Sequence, residues 1–369
     1  MVVSNNYQEC ITNLACSIRK YFNLPYHHNT LKDIDEILER DKPSNVIVIL
    51  FDGMGYNILN RTLDSNSFFI KNQIKKLTSV FPATTTAATT SMRTGLNPCE
   101  HGWLGWNTYI PSIDKVITLF KDYEKETHEI NEDYVRIKNS VLYSKTICDE
   151  INDSHEAYSK ELFPFGVNPY KDLDEMLKII EEETKIGGKK YLYAYDDEPD
   201  LSMHLLGPDH PKVQELIRIR NQKVEELCNK LDDSVVIVIA DHGHIKVEHF
   251  YLKDYPDICE LLERSTSLEE RALSFKIKDG YHDLFIERFN NHFKDYYDLY
   301  DKNDIINSKL FGDGVEIKLF REAIGDYIAI AKSNYAIVTP GDDLLVSQHA
   351  GYTDDEIYIP LIVKSLVKK

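Results

Sequence analysis

The chain has 369 residues, 42% of them hydrophobic and 28% charged, and a net charge of −18 from 43 Lys and Arg against 61 Asp and Glu. That length holds one large α/β domain or two ordinary ones, and the composition excludes a disordered chain. The acidic balance argues against a protein that coats nucleic acid or an anionic membrane, because counterion release needs clustered Lys and Arg; a small phosphate ligand stays open, since metal ions reverse the field locally.

Residues 1–40 read as two short helices around the loop at Pro25–Thr30, with Ile34, Ile37 and Leu38 at helical spacing. The opening MVVSNNYQECITNLACSIRKYF has no basic segment followed by an apolar run, and no stretch approaches the roughly 18 apolar residues of a membrane span. The cysteines (Cys10, Cys16, Cys99, Cys148, Cys228 and Cys259) form no C-x-x-C pair, so free thiols in a reducing compartment, the cytoplasm, are expected.

From Asn45 the character changes. Asn45-Val-Ile-Val-Ile-Leu-Phe51 is a continuous β-branched run that reads as a parallel strand covered on both faces, and it ends in Asp52-Gly53. Ser234-Val-Val-Ile-Val-Ile-Ala240 repeats the pattern before Asp241-His242-Gly243. Lys190–Tyr195 is a weaker version before Asp196-Asp-Glu-Pro-Asp200, and residues 356–363 form a fourth strand candidate. Helical patterns lie between them, at 172–183 (Leu173, Met176, Leu177 and Ile180 on one face) and at 211–231 (Val213, Leu216, Ile217, Val224 and Leu227). This alternation predicts an α/β fold: a mostly parallel central sheet flanked by helices, with ligands outside the carboxyl ends of its strands. Residues 246–334, rich in Tyr, Asp and Lys with broken periodicity, read as an inserted cap. The core is then 41–245 plus 335–369.

Three of the strands run into Asp/His-rich turns. Asp52 before Gly53 fits a βα turn with a capping Asp as well as it fits a ligand. Asp241-His242-Gly243-His244 places adjacent donors on an irregular turn, where no helix or strand period forces them apart. Asp200 and His204 stand at i and i+4, on one face if that turn is helical. His349 lies in the polar turn Ser347-Gln-His349-Ala-Gly351. Singly each fragment has an ordinary structural explanation. Jointly, Asp52, Asp241 and His242 make one O/O/N ligand set, and Asp200, His204 and His349 make a second. Each leaves coordination positions open, and the donors suit Zn²⁺, with Mn²⁺ as a further candidate. Two divalent ions about 4 Å apart clamp the attacking and leaving oxygens of an in-line displacement at phosphorus.

A nucleophile is sought in Val80-Phe-Pro-Ala-Thr84-Thr85-Thr86-Ala-Ala-Thr89-Thr90-Ser91. The run also fits a close-packed helix start. A hydroxyl there would benefit from the positive end of the helix, where backbone N–H groups hold phosphate.

These stretches resemble the alkaline phosphatase superfamily, and most closely its nucleotide pyrophosphatase/phosphodiesterase branch. The matching segments are Val48-Ile-Leu-Phe-Asp52-Gly, Phe81-Pro-x-x-Thr85 with Thr94-Gly-Leu-x-Pro-x-x-His101-Gly, Glu198-Pro-Asp200-x-x-x-His204-x-x-Gly-Pro, Asp241-His242-Gly243 and His349-x-Gly351. They cover about 45 to 245 and the last 25 or so residues, in the family's order. The resemblance implies an alkaline phosphatase-like fold and a two-metal hydrolase of phosphodiesters or phosphoanhydrides. Thr85 would be the nucleophile, forming a phosphothreonine; Asp52, Asp241 and His242 would bind the metal that also takes Thr85 as a ligand. Asp200, His204 and His349 would bind the metal facing the leaving group. Two departures stand out: Lys before the nucleophile and Asn three residues after it are replaced by Thr84 and Ala88. Thr86, a backbone amide or Asn107 are the groups that could take over the lost phosphate contact.

The expected substrate is a small phosphate ester or nucleotide, with no nucleic-acid polymer and no membrane as partner. Trp103, Trp106 and Tyr109 could form a wall for a base or simply belong to a core. The alternatives are a phosphomonoesterase or phosphonate hydrolase on the same metal core, and a metal-bearing binding protein without turnover.

Overall fold

The computed structural model describes residues 5–142, 145–166 and 168–368, so the first four positions of the expected N-terminal segment lie outside the described residues. A six-stranded sheet forms the centre. Its order across the sheet is Gln73–Thr78, Tyr358–Ser365, Ser234–Ile239, Asn45–Phe51, Lys190–Asp196 and Tyr158–Leu162. Asn45–Phe51 lies between Lys190–Asp196 and Ser234–Ile239 and is parallel to both. Every residue of these three strands is buried. Strands covered on both faces favour apolar side chains on both, hence the Val/Ile runs of Asn45–Phe51 and Ser234–Ile239. Tyr358–Ser365 runs antiparallel to both of its neighbours, so five strands point one way and one returns.

The last strand begins at Tyr358, two residues later than the sequence pattern suggests. Glu356 is held in a short helix, Asp354–Ile357, where it forms a capping box with Thr353. The strands Gln73–Thr78 and Tyr158–Leu162 are additions to the expected sheet. Both are edges, and their polar, alternately exposed residues (QIKKLT and YSKEL) reflect a single covered face.

The helices Ile11–Tyr21 and Lys32–Asp41 make up the N-terminal segment. The first packs beside the helix Thr85–Thr94; Arg19 donates to Thr94 O (3.0 Å) and pairs with Glu150 (2.9 Å). A guanidinium on the terminal carbonyls of a helix complements its negative end. Leu173–Thr184 and Pro211–Cys228 are the two helices expected in the middle of the chain.

A second sheet has seven antiparallel strands. Four come from Ser267–Glu269, Ala272–Phe275, Tyr297–Asp301 and Tyr327–Ala331, and three from Asn107–Ile110, Lys115–Thr118 and Tyr123–Glu124. Leu268 pairs with Asn107, which joins the two groups. The segment 246–334 therefore shares its sheet with a hairpin that follows the Thr-rich helix in sequence.

Candidate active site

The carboxyl ends of the three buried parallel strands deliver the acidic residues to one place. Asp52 follows Asn45–Phe51 directly, Asp241 comes two residues after Ile239, and Asp200 opens the helix Asp200–Leu206 that also carries His204. The loops are laced by backbone bonds: Asp52 N to Asp196 O (2.9 Å) and Asp200 N to Asp52 O (3.1 Å). Gly53 sits at φ +71°, and a Cβ there would lie 2.7 Å from Met203 Cε and 3.1 Å from Asp200 Cα. Only glycine allows this approach. Its N–H donates to Asp241 Oδ1 (3.0 Å), which also accepts from His242 N (3.0 Å).

Thr85 is the first residue of the helix Thr85–Thr94. Its Oγ1 lies 3.3 Å from Asp52 Oδ2 and 3.2 Å from His242 Nε2. His242 Nε2 is in turn 3.2 Å from Asp52 Oδ1 and 3.6 Å from Asp241 Oδ2. The Thr-rich helix tolerates burial because Thr89, Thr90 and Thr94 return their hydroxyls to the carbonyls of Thr85, Thr86 and Thr90 at 2.6–2.7 Å. Thr86 Oγ1 is different: it is buried and has no hydrogen-bond partner. Ala88 is fully buried. Asn107 Oδ1 accepts from Thr118 in the second sheet (2.7 Å).

The remaining residues gather on the other side of Asp200. Ligand atoms of Asp200, His204, His244 and His349 all lie within 4.8 Å of one another, and those of Asp52, Asp200 and His242 do the same. Asp200 thus belongs to both groups. The imidazoles share an orientation: His204 Nδ1 donates to Ser347 O (2.8 Å), His349 Nδ1 to Ala83 O (3.2 Å) and His242 Nδ1 to Gly243 O (3.2 Å). A proton on Nδ1 leaves Nε2 as a bare acceptor, the state in which imidazole binds a metal.

Burial, then the charge of Asp200, pushes Asp52 well above the usual carboxylate range; burial and then Asp52 do the same to Asp241. Burial also pushes Asp200 up, but His204 and His244 beside it outweigh this and hold it well below that range. Burial, then His242 and His244, pushes His349 well down, which keeps it neutral. Asp52 Oδ1 and Asp241 Oδ2 are buried and receive no hydrogen bond. Packed carboxylates with orphaned oxygens, facing imidazole acceptors, fit divalent cations: a positive charge between them offsets both the desolvation and the mutual repulsion.

Two residues of this centre stand outside the two three-ligand sets read from the sequence. Tyr195 donates its hydroxyl to Asp52 Oδ2 and is buried. In sequence it reads only as the end of an apolar strand, and nothing distinguishes its hydroxyl from those of Tyr191 and Tyr193. His244 could have been suspected from its place in Asp241-His242-Gly243-His244, but that turn has no period to say which way the ring faces. The aromatic residues after the Thr-rich helix have ring partners of their own. Trp103 and Trp106 pack edge-on against Phe120 (5.9 and 5.6 Å), and the Arg264 guanidinium covers the Tyr109 ring at 3.3 Å.

A mostly parallel α/β sheet with carboxylate and imidazole clusters at its strand ends, and a hydroxyl at a helix start beside them, is the arrangement of an alkaline phosphatase-like fold. The sequence profile of the type I phosphodiesterase / nucleotide pyrophosphatase family matches residues 46–352, and the chain belongs to that family. Among solved structures, murine ectonucleotide pyrophosphatase/phosphodiesterase 5 is similar with a TM-score of 0.66 at 20% identity, covering 86% of this chain and 87% of that one. An inactive form of the murine protein in complex with AMP gives 0.65 at 19% identity, with the same coverage. The human counterpart gives 0.63 at 20% identity, covering 88% of this chain and 90% of its own. These share the fold. GPI ethanolamine phosphate transferase 3 of Schizosaccharomyces pombe is 25% identical over 215 residues, which is 53% of this chain; the match spans only 22% of that protein's length.

Proposed function

We propose that the chain hydrolyses phosphodiesters or phosphoanhydrides of nucleotide type, with Thr85 as the nucleophile. The observation that carries this reading is the position of Thr85 Oγ1, at a helix start and 3.2–3.3 Å from both His242 and Asp52. Asp52, Asp241, His242 and Thr85 itself would hold one divalent ion, and Asp200, His204 and His349 a second, with Zn²⁺ or Mn²⁺ as the ions the donors suit. Bound there, the ions would supply the positive charge that lowers the hydroxyl pKa and neutralises the oxygens of the phosphate group.

The chain's own part is placement. Tyr195 fixes Asp52 Oδ2 beside the hydroxyl. The first N–H groups of the Thr85 helix point at the incoming phosphate, and the unpartnered Thr86 hydroxyl supports a further contact where Ala88 offers none. Thr85 Oγ1 bonds to phosphorus as the leaving alcohol or phosphate departs and takes up a proton. Water then cleaves the phosphothreonine and restores the hydroxyl. The preference for diesters over monoesters is supported by the arginines: the buried Arg19, Arg220 and Arg271 and the half-buried Arg93 are each engaged by a carboxylate (Glu150, Asp196, Glu356 and Glu161). None is left to grip a terminal phosphate dianion.

In this reading the segment 246–334 and the 107–124 hairpin cap the centre. The six free cysteines, five of them buried, support a reducing compartment such as the cytoplasm; among the described residues no helix is long and apolar enough to cross a membrane. The test is turnover of a nitrophenyl phosphodiester against the monoester, together with dinucleotides and nucleotide sugars, by metal-reconstituted protein. Faster turnover of the monoester would overturn the diester assignment. Two bound ions with no turnover of any ester would replace it with a binding protein.

A further inference from the structure

His244 is as deeply buried as the residues assigned above, with 1% of its surface exposed. It follows Gly243 on the turn after Ser234–Ile239 and precedes the short strand Ile245–Lys246, which pairs antiparallel with Ser347–Gln348. That pairing brings Ser347 against the ring. Ser347 Oγ donates its own proton to Met203 O (2.7 Å), so toward His244 Nδ1, at 3.0 Å, it acts as acceptor. The Nδ1 of His244 therefore carries a proton, and in the neutral ring Nε2 presents a lone pair.

That lone pair faces Asp200 Oδ1 at hydrogen-bond distance. In the neutral ring, two acceptors held this close repel unless a proton or a metal ion lies between them. The same serine residue turns His204 the same way through its carbonyl, and Ala83 O turns His349. The three rings pack with centroids 4.6–5.2 Å apart.

We propose that His244 is a fourth protein ligand of the ion held by Asp200, His204 and His349. This rests on the reading that both sets bind ions. It makes the two sites unequal: three imidazoles and one carboxylate on one side, against carboxylates, a single imidazole and the Thr85 hydroxyl on the other. Four protein donors complete a tetrahedral zinc shell, and nitrogen donors favour zinc over harder ions such as Mn²⁺ or Mg²⁺. The His244 site would thus be the tighter, more zinc-selective one. The Asp52 site, with mostly oxygen donors, would be the less zinc-selective of the two.

The test is X-ray absorption of protein loaded with one equivalent of zinc, which counts imidazole ligands, alongside the zinc dissociation constant. Three imidazoles are expected in the parent, falling to two in His244→Ala with affinity weakened by more than about 100-fold, beyond the range of losses from outer-sphere partners. Two or fewer imidazoles in the parent would overturn the inference and leave His244 as a protonated partner of Asp200; this measurement holds even if the variant fails to fold. Unchanged affinity in a folded His244→Ala would also overturn it. Failure of the parent to bind zinc at all would instead overturn the metal reading on which it rests.

Discussion

Arg271 and Glu356 meet in a bidentate ion pair, Nε to Oε1 at 2.6 Å and Nη2 to Oε2 at 2.8 Å, with both side chains fully buried. Arg271 stands between two strands of the second sheet and also donates to Tyr335 O and Ser333 O (2.6 and 2.9 Å). Glu356 accepts from the N–H groups of Gly351 and Thr353 (2.8 and 3.1 Å). The pair thereby ties the second sheet to the loop that carries His349, two residues before Gly351.

Breaking this pair on one side strands a buried charge. Arg271→Met or Glu356→Leu is expected to cost roughly 3–5 kcal/mol in urea unfolding, whereas the double substitution costs clearly less than the sum. Additive single losses would show that the two side chains act independently.

Thr85→Ala is expected to abolish turnover of a diester while leaving two bound ions, because the variant keeps all the carboxylate and imidazole donors. Metal analysis and a single kinetic assay check both halves. Activity within tenfold of the parent would remove Thr85 from its role.

Asp241→Ala and His349→Ala should each lose bound metal. Asp241 Oδ1 also holds Gly53 N and His242 N at 3.0 Å, so its loss loosens two loops as well as a ligand. His349→Ala removes a donor from the other cluster and leaves the Thr85 side in place. Equal retention of two ions by either variant would break the grouping.

The buried centre of the fold was legible because strands covered on both faces must be apolar throughout, as in 45–51 and 234–239. Edge strands escape that rule: Gln73–Thr78 alternates exposed and half-buried residues before its two buried ones, and it carries two lysines. The second sheet was not legible because its strands are only two to five residues long, and its key pairing, Leu268 with Asn107, joins distant parts of the chain. At the site, the residues that end strands or open helices could be read from position. His244 and Tyr195 could not, since their orientation is set by Ser347 and Asp52, partners over 100 residues away.

His101 supplies a pH dependence of folding that lies away from the metal clusters. It is fully buried; Trp103 N donates to its Nδ1 (3.1 Å), so Nε2 carries the proton toward Ser91 Oγ (3.0 Å). Burial pushes its pKa down to about 3 from the ordinary 6.5. Between those values the unfolded chain binds a proton that the folded chain refuses, so stability is present above pH 6.5 and is lost as pH falls toward 3. From pH 7 to pH 5 this one group should remove about 2 kcal/mol. His101→Asn, whose Oδ1 can still accept from Trp103 N, should lower stability at pH 7 yet lack that decrement. Urea unfolding of parent and variant at both pH values isolates the difference; parallel losses in the two proteins would show that His101 is protonated without cost in the native state.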